Sequence, residues 1–461
     1  MKINRLLSFL LSIIGIPASA NVSLPAFFSD NMVLQRNAEV KLWGWGSPNE
    51  EIAITIGWDN AVYKTKPNNQ AAWEVVIKTP KEGGPYTLTF KGYNEIVFNN
   101  VMLGEVWLCS GQSNMEWTPS AGIDNAEAEI AKANYPNIRF FTVPKLTAKN
   151  PQLNLSGSWQ ACTPDSMKYF SAIGYFFAQH LHENLKGVPI GIINSSWGGT
   201  PAEIWMPEDY IAKDTALAAA AGKLTPAQWG PVEPGRAYNA MIYPFTGYKL
   251  AGVLWYQGES NVGSGVYDKT LSGLIQSWRA AWQDNFPFYF VQIAPFKYEG
   301  GTIQGVVLRN EQRKVLTMVP KTGMVVISDV GNVNDIHPRN KKPVGIRLAN
   351  IALSNNYGSN NGLVNGPLYK NFTVKGNQAI VNFDNAEGLH FYGKTSSLFE
   401  VAGNDGTFYP ATAKIEKNTV VLSSKSVKKP QQVRYAWGNA TVADLFNNAN
   451  LPASSFLSEA E

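Results

Sequence analysis

The sequence predicts an α/β protein in which helices cover both faces of a parallel sheet, with β-rich regions before and after it. Three observations carry that expectation. Residues 21–102 alternate polar and apolar side chains between turn residues. Residues 103–355 hold five short apolar runs separated by helix-period patterns. Residues 356–461 return to short alternating segments. Period-two alternation with frequent turns marks antiparallel sheets with one wet face. Unbroken apolar strands separated by helices mark a parallel sheet buried on both faces.

The chain of 461 residues starts with a segment set apart from the fold. Lys2 and Arg5 precede an apolar run over residues 6–16, then Pro17 and the small residues Ala18-Ser19-Ala20. A basic start, a short apolar run and a small-residue cleavage site read as a signal peptide over residues 1–20. The run is too short to span a bilayer, and no later segment is long and apolar enough. The expected location is periplasmic or extracellular.

Removing residues 1–20 leaves 37 of the 39 basic residues against 35 acidic ones. So small an excess is no nucleic-acid footprint. The basic groups near Lys341 and Lys428 read as solvated loops. Cys109 and Cys162 are the two cysteines, and an oxidising compartment would permit their pairing. Spacing cannot show whether they come within reach.

Residues 21–102 read as an antiparallel sandwich-like domain, with Val40-Lys41-Leu42-Trp43 and Tyr86-Thr87-Leu88-Thr89-Phe90 as strands and Gly83-Gly84-Pro85 as a turn. The five strands of the central domain lie at residues 106–109, 190–193, 252–256, 288–293 and 324–327. Between the first two, Phe170, Ile173, Phe177, Leu181 and Leu185 share one helical face. Residues 378–383, 419–422 and 431–437 are the clearest strands of the C-terminal β-rich domain.

Polar motifs follow the central strands, where ligands bind in open parallel sheets. Ser113, in Cys109-Ser110-Gly111-Gln112-Ser113-Asn114-Met115, stands where a strand gives way to a helix. It reads as a helix cap or as a nucleophile. Met115 occupies the place where an α/β-hydrolase elbow needs glycine. Trp197-Gly198-Gly199-Thr200 offers a tight turn or backbone donors for an oxyanion. Gln257 and Asn261 carry amide donors, and Glu259 between them accepts hydrogen bonds. Asp335 stands two residues before His337, and a carboxylate beside an imidazole can hold its tautomer. His180, His182 and His390 lack such a partner and read as packing or surface residues. The sequence shows no metal-ligand spacing, phosphate loop or dinucleotide fingerprint, so no metal and no cofactor is expected.

Four ordered blocks resemble those of sialate O-acetylesterases within the SGNH (GDSL-like) hydrolases. They are residues 104–115 around Gln112-Ser113-Asn114, then Trp197-Gly198-Gly199-Thr200-Pro201-Ala202-Glu203, then Trp255-Tyr256-Gln257-Gly258-Glu259-Ser260-Asn261, and Ile336-His337-Pro338 with Asn340-Lys341. The resemblance implies an SGNH-type catalytic domain over residues 103–355, with a β domain over 21–102 and another over 356–461. It implies Ser113 as nucleophile and His337 as base, with Asp335 orienting the base and Asp329 as the alternative acid. The backbone of Ser113 and Gly199, with the Gln257 side chain, would hold the oxyanion. Gln112, Asn114, Glu203, Glu259 and Asn261 would bind substrate or support the reacting groups. The implied partner is an O-acetylated carbohydrate. Acetylated sialic acid leads, acetylated xylan is the rival, and a secreted carbohydrate-binding protein without catalysis is the reading of another class.

Overall fold

A computed structural model describes residues 21–359 and 362–458. The proposed signal peptide, residues 1–20, lies outside the described residues. No helix among the described residues is long and apolar enough to cross a membrane.

The central sheet runs in the order Thr322–Val325, Phe288–Val291, Gly252–Tyr256, Glu95–Gly111, Ile190–Ser196, Tyr135–Thr142, Trp159–Cys162. All neighbours are parallel except the last pair. The Glu95–Gly111 strand therefore sits mid-sheet, with the earlier strands of the domain laid on one side of it and the later ones, from Gly252–Tyr256, on the other. That is a topological switch point, and the crevice beyond its carboxyl end is where such sheets bind ligands.

The strand's alternation explains the two layers. Val106 and Leu108 enter the core with Leu271, Leu274 and Trp278 of the Tyr267–Trp282 helix and Leu308 and Val315 of the Gln304–Met318 helix. Trp107 and Cys109 enter the opposite core with Ile173, Phe176 and Phe177 of the Ala172–Asn184 helix and Leu348 and Ile351 of the Lys342–Tyr357 helix. Successive strand side chains point to opposite faces, so one apolar run serves both layers.

The same strand continues into the N-terminal β region. Residues 95–100 alternate exposed and half-buried and pair with Gly83–Lys91, while residues 101–111 are buried throughout. Val33–Gln35 joins it in parallel at Met102–Gly104. We propose that the 102/103 division is a change of partners along one strand rather than a linker. The C-terminal β region has its own core around Val381, Phe399, Val401, Tyr435 and Phe456. It is tied back through Arg309, which donates to the carbonyls of Gly438 and Asn439.

Cys109 and Cys162 are both free and buried, so the permitted pairing is not made. Two strands of the sheet, Ile190–Ser196 and Tyr135–Thr142, lie between theirs. Burial raises both thiols above their ordinary range.

Candidate active site

Gly111 ends the central strand at φ +134°, and a Cβ there would lie 2.1 Å from the carbonyl oxygen of Tyr256 on the neighbouring strand. Only glycine lets the chain turn away so close to another backbone. Extended Gln112 follows, and Ser113–Glu116 form a single helical turn. So short a helix contributes little dipole, which removes the macrodipole as a source of activation for Ser113. The turn is anchored from below, where Ser171 caps the Ala172–Asn184 helix and donates its hydroxyl to the Met115 carbonyl at 2.6 Å.

Ser113 Oγ lies 2.9 Å from His337 Nε2, across 224 residues of sequence. The imidazole stacks on Trp117, with ring centroids 4.5 Å apart and planes 19° apart. Trp117 is itself held by donation from its indole N–H to the Gly122 carbonyl. Burial lowers the proton affinity of His337, the charge of Lys341 adds to that, and Asp335 opposes it. The ring is thereby kept neutral, and so able to accept a proton, to lower pH than a free imidazole.

The acid expected to orient the base does something different. Asp335 accepts the main-chain N–H of His337 at 2.9 Å, which shapes the loop rather than the ring. Asp329 is engaged through both carboxylate oxygens by the Arg347 guanidinium. Among the described residues the imidazole is held by Ser113 on one edge and Trp117 on one face. The other histidines bond elsewhere, His180 to Asn350, His182 to the Val188 carbonyl and His390 to the Gly388 carbonyl.

The glycine pair lies against the serine, since a Cβ on Gly198 would be 3.3 Å from the Ser113 Cβ. Gly198 donates its N–H to Glu116 at 2.6 Å, and Lys145 pairs with the same carboxylate. The main-chain N–H groups of Ser113 and Gly199 have no acceptor among the described residues. Gln257, expected as the third donor, is fully buried with both amide hydrogens engaged, by the Thr200 carbonyl and by Asn261 Oδ1. Asn261 in turn donates to both oxygens of Glu203 and accepts the Ala202 N–H. Burial raises the pKa of Glu203. Gln257, Asn261 and Glu203 thus form a buried brace beneath the second loop. Gln112 accepts the N–H groups of Gly258 and Ser260, joining the first loop to the third.

Asn114 is the hub. Its amide donates to Glu259 at 2.7 Å and to the Ile336 carbonyl at 2.9 Å, and its oxygen accepts Lys341 Nζ at 2.6 Å. Lys341, read from the sequence as part of a solvated loop, is 2% exposed. The sequence assigned no role to Trp117, two residues past the serine block, or to Trp229. The Trp229 ring is 69% exposed and rests on Gly199, where an added Cβ would meet it at 2.1 Å. Its carbonyl accepts the indole N–H of Trp197. Long loops disguise such neighbours in sequence, and Trp229 lies outside every block.

The family described as carbohydrate esterase, sialic acid-specific acetylesterase, matches residues 103–354. The human sialate O-acetylesterase is 30% identical over 416 residues, covering 82% of this chain and 79% of that protein. The mouse sialate O-acetylesterase is 28% identical, covering 98% of this chain and 97% of its own. A crystal structure described as a novel carbohydrate acetylesterase from Xanthomonas citri superposes with a TM-score of 0.85 at 38% identity, covering 95% of this chain and 99% of that one.

Proposed function

The chain belongs to the sialic acid-specific acetylesterase family of carbohydrate esterases, and from that premise we propose that Ser113 and His337 are its acyl-transfer pair. It is a carboxylic ester hydrolase of SGNH type that acts as a carbohydrate O-acetylesterase, which sets aside a non-catalytic binding protein. The observation that carries the assignment of roles is the 2.9 Å contact between Ser113 Oγ and His337 Nε2 beside two unpaired backbone N–H groups.

Ser113 Oγ attacks the acetyl carbonyl carbon while His337 Nε2 takes the hydroxyl proton. The carbonyl electron pair moves onto oxygen, where the N–H groups of Ser113 and Gly199 receive it. Each such donor contributes roughly 3 kcal/mol to the transition state. Collapse breaks the bond to the sugar oxygen, which takes the proton from His337 and leaves as a hydroxyl. Water, deprotonated by His337, then attacks the acetyl-serine, and acetate leaves as Ser113 regains its proton. Two donors and a pair without an acid on the ring suffice here because Trp117 fixes the imidazole plane. The aromatic face also favours the imidazolium that forms in each half-reaction.

The acidic limb of kcat/KM is expected below pH 6.5, the ordinary imidazole value, because burial and Lys341 both disfavour the protonated ring. As pH falls through the folded-state pKa the base is lost, so activity drops on the acid side. A limb midpoint above 6.5 would speak against His337 as the base.

The substrate we propose is an O-acetylated sialic acid met outside the cytoplasm, with residues 1–20 directing export. The family description and the sialate O-acetylesterase relatives support the sugar. Acetate release from 9-O-acetyl sialic acid and from acetyl-xylo-oligosaccharides decides between the two glycans, and a higher kcat/KM on the xylan fragments would overturn the assignment. The exposed face of Trp229 beside Gly199 suits a pyranose ring. Trp229→Ala is expected to raise KM for the acetylated sugar about tenfold, equivalent to ~1.4 kcal/mol, with kcat for p-nitrophenyl acetate unchanged. Equal KM values for the sugar in variant and wild type would remove Trp229 from the site.

A further inference from the structure

We infer that Lys341 is a positioning residue of the hydrolysis, tying the His337 loop to the Ser113 turn and placing a buried positive charge beside the base. The inference rests on the reading of Ser113 and His337 as the reacting pair.

Lys341 lies immediately before the Lys342–Tyr357 helix, four residues after His337. Its ammonium points inward, donating to Asn114 Oδ1 at 2.6 Å. It lies 5.8 Å from the centroid of Trp117 and 5.9 Å from that of Tyr256. Trp117 is the ring that stacks on His337. Through the Asn114 amide the same ammonium is linked to Glu259 and to the Ile336 carbonyl, one peptide before the base. Three loops thus meet at one side chain: the serine turn, the third block and the histidine loop.

Burying an ammonium costs several kcal/mol unless charge and hydrogen bonds compensate. Here the compensation is one amide oxygen, two aromatic faces and the Glu259 carboxylate, whose second oxygen is buried without a partner. Burial lowers the pKa of Lys341 to about 7, opposed by Glu259 and Asp335. Burial raises the pKa of Glu259. An apolar side chain would fill the same space at less cost. A charge at this position acts on its neighbours, and the neighbour whose protonation the reaction uses is His337. The charged groups around the imidazole are Asp335 and Arg339 on its own loop, Lys341, Glu259 of the third loop and Glu116 on the serine turn. Glu116 is already paired with Lys145, the Arg339 guanidinium lies over Gly122, and the charges that act on the imidazole are those of Lys341 and Asp335. Lys341 is thus the cation left to oppose protonation of the ring.

The test compares the full chain with Lys341→Met and Lys341→Arg, using kcat/KM for p-nitrophenyl acetate from pH 4.5 to 8.5 and thermal unfolding. In Lys341→Met the acidic limb is expected to move up by about half a pH unit or more. Its kcat is expected to fall about 10- to 100-fold with KM little changed. Lys341→Arg should leave the limb in place and recover part of kcat. Should Lys341→Met fail to fold, Lys341→Gln keeps a donor for Asn114 and removes the charge, and its limb should move up likewise. An unshifted limb in the folded neutral variant, at whatever rate, overturns the inference. Ser113→Ala and His337→Ala serve as controls. Full activity in either brings down the underlying reading, whereas inactive controls beside an unshifted Lys341 variant bring down this inference alone.

Discussion

Ser113→Ala is expected to lower kcat for acetate release by about 10⁵-fold or more while leaving the melting temperature within a degree or two of wild type. The hydroxyl is half-buried, and its hydrogen-bond partner is the imidazole of His337. Its removal takes away one oxygen atom and the contact with His337. Chemistry suffers without a matching loss of stability. His337→Ala should be similarly severe, because a serine hydroxyl without a base is a poor nucleophile at neutral pH. The double variant should be little worse than either single one, as residues acting in one step are non-additive. Steady-state acetate release on all three variants tests this, together with mass-spectrometric capture of an acetylated Ser113 in the wild type. A Ser113→Ala enzyme with a tenth of wild-type turnover would end the acyl-enzyme mechanism.

Gly111→Ala is expected to destabilise the protein by about 3 kcal/mol or more, with activity lost alongside. Its φ of +134° is closed to a side chain, and the Cβ would lie 2.1, 2.7 and 3.0 Å from the carbonyl oxygen, carbon and nitrogen of Tyr256. Those atoms are backbone in a strand paired directly with Gly111, mid-sheet between two further strands. They cannot swing aside as the end of a flexible side chain would. Relief requires parting the two strands whose carboxyl ends carry Ser113 and the Gln257–Asn261 loop. Chemical denaturation of the two proteins, with fluorescence from the fourteen tryptophans, gives the difference directly. A midpoint shift worth less than 1 kcal/mol would mean the sheet yields more readily than its register implies.

The two predictions differ in how far they were visible in the sequence. Ser113 and His337 stood out because each follows an apolar strand and lies in a motif whose residue types suit acyl transfer. The strain at Gly111 was not visible, since nothing local says which backbone will lie against it. The third block shows the same divide. Gln257, Glu259 and Asn261 look alike in sequence as polar residues on one loop. In the fold, Gln257 and Asn261 turn beneath the Trp197–Thr200 loop to brace Glu203, while Glu259 turns toward Asn114 and Lys341. Lys341 looked solvated because charge runs at helix starts commonly are, and its burial follows from the packing of three loops that its neighbours in sequence do not specify.

By itself the sequence determined the β, α/β, β order and the parallel sheet, and it singled out Ser113 and His337, the residues we propose as the reacting pair. Hydrophobic period and the polar residues after each strand are properties of a few consecutive side chains, and they survive without knowledge of the partner. The tertiary structure alone decided which polar atoms remain free. It engaged the amide of Gln257, turned Asp335 to the main chain, kept Cys109 from Cys162 and drew Lys341 inside. Each of those outcomes depends on the position of a polar partner or on depth below the surface. Both are set by how the loops pack against one another, and a residue's type carries no record of either.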